Sequence, residues 1–205
     1  MRQPPREALA QGALSILGRP LTTPERELFS RYLAMLIKWQ RSHRLIGSSD
    51  EMWIVEHLFL DSLLFLRLLP PTARALADIG SGAGMPGVPI RIVRSDAEVT
   101  LIESRRRRAS FLSAVVRELA LARTHVVADR IEDRLSDLEG RFDGVVMRCA
   151  GDIDELMPVA ARLLAPRGVV VASGPPEPRP LTQGEWVVVP GCQPSSSRRF
   201  AVYRP

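Results

Sequence analysis

The chain has 205 residues, 45% of them hydrophobic and 25% charged, with a formal net charge of +5 at pH 7. That size and balance suit one folded domain with a small extension and exclude wholesale disorder. No run approaches the ~20 apolar residues needed to cross a bilayer. The opening MRQPPREALAQG lacks the apolar core of a signal peptide, so the chain reads as cytoplasmic.

Arginine carries nearly all the positive charge, and Lys38 is the single lysine. Such a surface favours a polyanionic partner, because guanidinium forks match phosphate oxygens; a bias toward arginine codons accounts for the same composition. Two distant cysteines, Cys149 and Cys192, form neither a disulfide framework nor a four-ligand zinc site. Each is expected to be a buried free thiol.

In chain order, residues 1–20 read as mixed and frayed, with one short helix from Arg6 to Leu17. LTTPERELFSRYLAMLIKWQ is a stronger helix. Thr23 is placed to cap it, Pro24 suits the first turn, and Glu25 and Glu27 favour the positive end of the dipole. Leu28, Tyr32, Leu36 and Trp39 share one side at helical spacing. A second helix runs from Asp50 to Leu69, where Pro70 and Pro71 stop it.

Strands and helices then alternate. RALADI, EVTLIE, THVVAD, FDGVVMR and GVVVAS read as strands; RRRRASFLSAVVRELAL and DIDELMPVAARLLA read as helices. A short helix is expected near Val88–Arg94, and DRIEDRLSDL is a short helix or loop. Short, continuously apolar strands between helices argue for a parallel sheet covered on both faces. GEWVVVP and RRFAVYR have no helical segment between them and read as an antiparallel hairpin. The fold class is therefore α/β, a Rossmann-like and mostly parallel sheet ending in an antiparallel hairpin. Residues 1–70 read as an N-terminal helical extension and 71–205 as one cofactor-binding core.

The first strand runs into GSGAGMPG, with glycines at 80, 82, 84 and 87. Gly82 to Gly87 fits G-x-G-x-x-G between a strand and a helix, the arrangement that sets a nucleotide-like group against a helix N-terminus. Glu103 closes the second strand, 21 residues beyond Gly82, where an acid accepts hydrogen bonds from ribose hydroxyls. A tight structural turn and a solvated charge are the plainer alternatives. No G-x-x-x-x-G-K-S/T run is present, which argues against a P-loop. The terminal hairpin suits the methyltransferase variant of this architecture. Asp78, just before the glycines, suits a cofactor with a sulfonium cation and an amino-acid tail better than a phosphate; as a strand-end acid it would cap nearby amides instead.

KWQRSHRL, EHLFLDSL, DIGSGAGMPGVPI, TLIESRRRRASFL, DRIED and MRCAG together resemble the bacterial 16S rRNA guanine-N7 methyltransferases of the small subunit, the glucose-inhibited division protein B family. The resemblance spans roughly residues 21 to 172, and M-P-G-x-P is its most specific part. It implies a class I methyltransferase fold, S-adenosylmethionine as cofactor and 16S rRNA or the small ribosomal subunit as partner; the protein is expected to act as a monomer. It implies that Gly80, Gly82 and Gly84 line the cofactor, Asp78 lies near its methionine end, Glu103 holds the ribose, and Ile131 and Glu132 flank the adenine. Arg148 would face the site from the fourth strand and orient the target guanine or a flanking phosphate; a salt bridge to Asp152 or Asp154 is its plainer reading. His57 is a substrate-binding candidate or a core histidine.

Arg105–Arg108 sit at a helix N-terminus, where the dipole disfavours cations, and Arg106 and Arg107 are candidate RNA contacts. Trp39 and Trp53 read as core. Two departures from the family pattern stand out. Its N-L-T reads here as Arg44-Leu45-Ile46, and its Lys-Gly after the fifth strand reads as Ser173-Gly174, followed by PPEPRP instead of a helix. A relative that binds cofactor or RNA without methylating, or that methylates another substrate, is the alternative reading.

Overall fold

The computed structural model describes residues 3–148, 150–175, 178–193 and 196–205, with the backbone alone at Ser42 and His43. Cys149, and with it part of the MRCAG segment, lies outside the described residues.

α1 (Pro5–Leu17) and α2 (Thr23–His43) open the chain. The first is not frayed: Leu9, Gly12, Ala13 and Ile16 are buried, and Gly18 closes it in the left-handed conformation. A Cβ at Gly12 would lie 2.4 Å from Leu60 Cδ1, so the glycine is what lets α1 approach the helical segment that carries Leu60. The cap of α2 is Thr22, one residue before the expected Thr23. It forms a capping box with Glu25, whose Oε2 accepts from the Thr22 amide at 2.7 Å. The buried face of α2 is Phe29, Tyr32 and Leu36, flanked by partly buried Leu28 and Trp39.

The expected helix 50–69 is helical without a gap from Glu51 to Arg67, but its hydrogen bonding changes along it: α3 (Glu51–Ile54), a π turn (Val55–Leu60), α4 (Asp61–Leu63) and a 3₁₀ turn (Leu64–Arg67). Asp50 caps it through the Trp53 amide at 2.7 Å.

The core follows as β1 (Ala75–Ile79), α5 (Gly87–Val93), β2 (Glu98–Ile102), α6 (Arg106–Glu118) and β3 (Thr124–Val127). Next come a 3₁₀ turn (Glu132–Arg134), α7 (Leu135–Leu138), β4 (Phe142–Met147), α8 (Ile153–Arg162), β5 (Leu164–Ser173), β6 (Glu185–Pro190) and β7 (Ser197–Tyr203). The sheet order is β3-β2-β1-β4-β5-β7-β6. The first five strands are parallel; β7 lies antiparallel between β5 and β6.

Strand alternation divides the core in two. Leu76, Val99, Leu101, Val146 and Val171 join Phe29, Leu36, Phe59 and Phe111 on the face covered by α1–α6. Ala77, Ile79, Val145, Met147 and Val170 join Met157 and Ala160 of α8 on the other. Both faces are buried, as apolar strands require. The N-terminal helices thus pack on the same face as α5 and α6. The chain winds outward from β1 to β3 and from β4 to β5, so the order reverses between β1 and β4, where α/β sheets place their ligands.

Candidate active site

The glycine turn folds over that reversal point. The Gly80 and Ser81 amides donate to the Ile102 carbonyl at 2.9 and 3.1 Å, carrying the turn across the end of β2. Gly80, Gly82 and Gly84 all have positive φ, of 68°, 58° and 93°. Gly87 serves close packing instead: a Cβ there would lie 2.5 Å from Leu101 Cδ2 and 2.6 Å from Asp78 Oδ2.

Glu103 is 5% exposed beside this turn. Its Oε2 accepts from the Gly82 amide at 2.9 Å, and its Oε1 from the Arg105 amide at 2.8 Å. The N-cap residue of α6, Arg105, makes no side-chain capping bond; its amide is held by the Glu103 carboxylate, which sets a negative charge at the helix N-terminus. Each oxygen keeps a further lone pair. Arg106 and Arg107 are exposed on the first turn of α6. Arg108 lies closer: its Nη1 would be 3.6 Å from a Cβ at Gly82.

Asp78 is fully buried, with Oδ2 accepting from the Gly87 amide at 2.9 Å. Through this oxygen it holds the first amide of α5, as a strand-end acid would. Its Oδ1 has no hydrogen-bond partner. Ile131 belongs to the second core with Ile79 and Ile102, at the carboxyl ends of β1 and β2; Glu132 is exposed on the 3₁₀ turn.

Arg148 leaves the end of β4 toward the helical extension. It donates to the carbonyls of His57 and Leu58 in the π turn, and its Nη2 lies 4.0 Å from Asp61 Oδ2. The expected partners Asp152 and Asp154 are engaged elsewhere: Asp152 caps α8 and Asp154 holds Thr182. His57 is half-buried and stacks on Trp53, ring centroids 5.1 Å apart and 11° between planes. Trp53 is half-buried: it packs against the core, as expected, and also forms part of the wall of a cavity of about 490 Å³ that His57, Asp61 and Arg148 line.

The glycine turn thus stands open beside buried Glu103 at the reversal point, with Arg148 leaving the neighbouring end of β4. A model of the family rRNA small subunit methyltransferase G matches residues 25–174. The chain belongs to that family.

Its members named Ribosomal RNA small subunit methyltransferase G include one from Chromobacterium violaceum, 39% identical over 80% of this chain and 77% of the relative. One from Sorangium cellulosum is 36% identical over 90% and 78%. Among solved structures, the O-methyltransferase TomG from Streptomyces achromogenes, in complex with SAM, is 20% identical with a TM-score of 0.54, covering 86% of this chain and 88% of that one. Cofactor-bound Rv0187 from MTB is 16% identical with a TM-score of 0.59, covering 98% and 97%. At these identities the two structures bear on the fold.

Sequence reasoning missed two contributions to this family site. Tyr32 of α2 is fully buried, and its hydroxyl donates to the Ala83 carbonyl, propping the glycine turn from beneath. Burial, then the nearby Asp78, push its phenol well above the usual value, so it remains a donor. Its helical spacing marked it only as core. Ser62 of α4 donates to Leu58 and sits 3.6 Å from Met85 Sδ, linking the π turn to the same loop.

Asp78 carries a pH dependence. Burial raises its carboxyl to about 7; the Gly87 amide and the Ser81 hydroxyl oppose the rise, and Glu103 adds to it. The folded chain therefore binds this proton more tightly than the unfolded chain. The contribution is complete below the unfolded value of about 3.9 and is lost as pH rises to about 7. Wild-type stability is expected to fall on the order of 2 kcal/mol between pH 5 and 8 relative to Asp78→Asn, which keeps an acceptor for Gly87. Denaturant midpoints at the two pH values measure it, and parallel profiles would remove Asp78 as the titrating group.

Proposed function

We propose that the chain transfers a methyl group from S-adenosylmethionine to N7 of a guanine in small-subunit 16S rRNA. The observation that carries this reading is the glycine turn held 2.9 Å from Glu103 at the point where strand order reverses, in a chain of this family. The residues present fit the cofactor. Positive φ at Gly80, Gly82 and Gly84 keeps side chains off the turn, Glu103 has lone pairs left for ribose hydroxyls, and Asp78 has a buried oxygen without a donor. When bound, S-adenosylmethionine supplies a methyl group already activated by its sulfonium charge.

Guanine N7 has a free lone pair, so no general base is required. What remains for the protein is to align the base and exclude water. Arg148, Trp53 and His57 face the cavity where a base would lie; Arg106 and Arg107 are exposed for phosphates. The reading places the enzyme in the cytoplasm, where its rRNA is, and takes one chain as the working unit. Among the described residues no helix is long and apolar enough to cross a membrane.

Methyl transfer into purified small subunits and into free 16S rRNA tests the proposal. N7-methylguanine is labile to base-induced strand cleavage, so the product can be mapped to one nucleotide. Glu103→Ala is expected to weaken S-adenosylmethionine binding about tenfold, near 1.4 kcal/mol, with the fold intact by circular dichroism. Unchanged affinity by calorimetry would sink the ribose assignment. Absence of label from both RNA forms would sink the activity.

A further inference from the structure

The cavity at Arg148 continues past Asp61 to the terminal hairpin. Its floor is Phe65 and Phe200, packed edge to face with centroids 4.9 Å apart, and one wall is the Trp53–His57 stack. Across it stands Arg198 of β7, whose Nε donates to Asp61 Oδ2 at 3.0 Å. The same carboxylate oxygen lies 4.0 Å from Arg148, so one negative charge faces two guanidinium groups. Ser173 and Gly174, at the end of β5, line the cavity without adding charge. A positive surplus therefore remains at its mouth.

The two arginines differ in what they have left to give. Arg148 is 18% exposed and spends both terminal nitrogens on the π turn. Arg198 is 41% exposed. Its Nη1 donates to the Ser197 carbonyl at 3.1 Å, and its Nη2 has no partner among the described residues. Strand alternation puts Arg198 on the face of Phe200; the next residue, Arg199, leaves the other face of β7 and also borders the cavity. Arg198 also lies outside the segment 25–174 that the family model matches.

We infer that Arg198 grips an RNA phosphate beside the target guanosine, with Asp61 fixing its guanidinium at the cavity mouth. The chemistry is complementary at each point. A guanidinium held by one edge presents its remaining donors as a fork, which fits two oxygens of a phosphate. A half-buried surplus of positive charge gains more from an anion than an exposed one does. Stacked aromatic rings beside it offer a face for a base lifted out of its strand. Arg198 is thus a substrate-positioning residue, which the hairpin contributes along with Phe200 to a site whose other parts come from α3, the π and 3₁₀ turns, α4 and the ends of β4 and β5.

The inference rests on the rRNA methyl-transfer reading, and the test separates the two. Methylation kinetics and RNA binding across a salt series are measured for the full-length wild type, Arg198→Ala, Arg198→Lys and Arg198→Gln. Arg198→Ala is expected to raise KM for the small subunit about tenfold with kcat little changed. It should reduce the salt slope of binding by about one phosphate contact and leave S-adenosylmethionine affinity unaltered. Arg198→Lys is expected to keep the slope but recover only part of KM, because an ammonium has charge without the fork. Arg198→Gln retains a donor for Asp61 and gives the same comparison if alanine fails to fold. Wild-type KM and slope in Arg198→Ala would overturn the inference. A loss of kcat or of cofactor affinity instead would make Arg198 a structural partner of Asp61, which also overturns it. If the wild type methylates no rRNA, the underlying reading falls, and the salt slope still decides whether Arg198 meets a phosphate.

Discussion

A Gly84→Ala chain is expected to lose about 3 kcal/mol of stability and nearly all affinity for S-adenosylmethionine. Two costs combine at this residue. Its φ of +93° is strained for any residue with a side chain, at about 1–3 kcal/mol. The new Cβ would also lie 2.6 Å from the Tyr32 hydroxyl oxygen and 2.7 Å from Val88 Cγ2, so overpacking adds a similar amount. Neither neighbour can yield cheaply. Tyr32 is fully buried and hydrogen-bonded to Ala83, and Val88 sits in the first turn of α5. Gly140→Ala is the control: its φ is +70°, yet nothing lies within 4 Å of the added carbon. Denaturant midpoints for both variants, with calorimetric titration of the cofactor, give the comparison. Tyr32→Phe removes the nearest atom and should recover part of the loss in the double variant. Equal stability of the Gly84 and Gly140 variants would show that the turn has more freedom than its contacts allow.

The second large effect is at Arg148. Arg148→Ala is expected to cut methyl transfer about 100-fold or more while cofactor affinity stays within about twofold. The reaction needs orientation rather than proton removal, so the loss should appear in turnover. Arg148 also has a structural part. Its guanidinium ties the end of β4 to the His57 and Leu58 carbonyls, beside Asp61. Its removal unpins the wall that carries the Trp53–His57 stack and takes donors from part-buried carbonyls, at about 1–3 kcal/mol. Arg148→Lys should recover little, since one ammonium cannot span two carbonyls in the geometry of a planar fork. Single-turnover methylation, calorimetry and thermal melts on the same samples separate orientation from collapse. Full activity in Arg148→Ala would remove it from the site.

The sequence by itself determined the sheet and the glycine turn with its acid, because those signals are local. Continuous apolar runs such as GVVVAS specify buried parallel strands, and positive φ after β1 admits little but glycine. Glu103 was legible because one strand and one turn fix its distance from Gly82. Helix ends were legible to within a residue or so: Thr22, not Thr23, caps α2, since either threonine precedes the same apolar face and only the capping box with Glu25 selects between them. The substrate side was written in no single stretch. Val55–Leu60 has the composition of an ordinary buried helix, and its π turn accompanies the donation of Arg148, some 90 residues away, to carbonyls there. The hairpin was readable as two strands, but not that β7 rather than β6 would pair with β5 and so bring Arg198 to Asp61. Tyr32 was legible as a core residue; that its hydroxyl would meet Ala83 depended on how α2 packs against the sheet. Local pattern fixes secondary structure and backbone conformation, whereas the partners of a long polar side chain depend on which elements the packed fold brings within its reach.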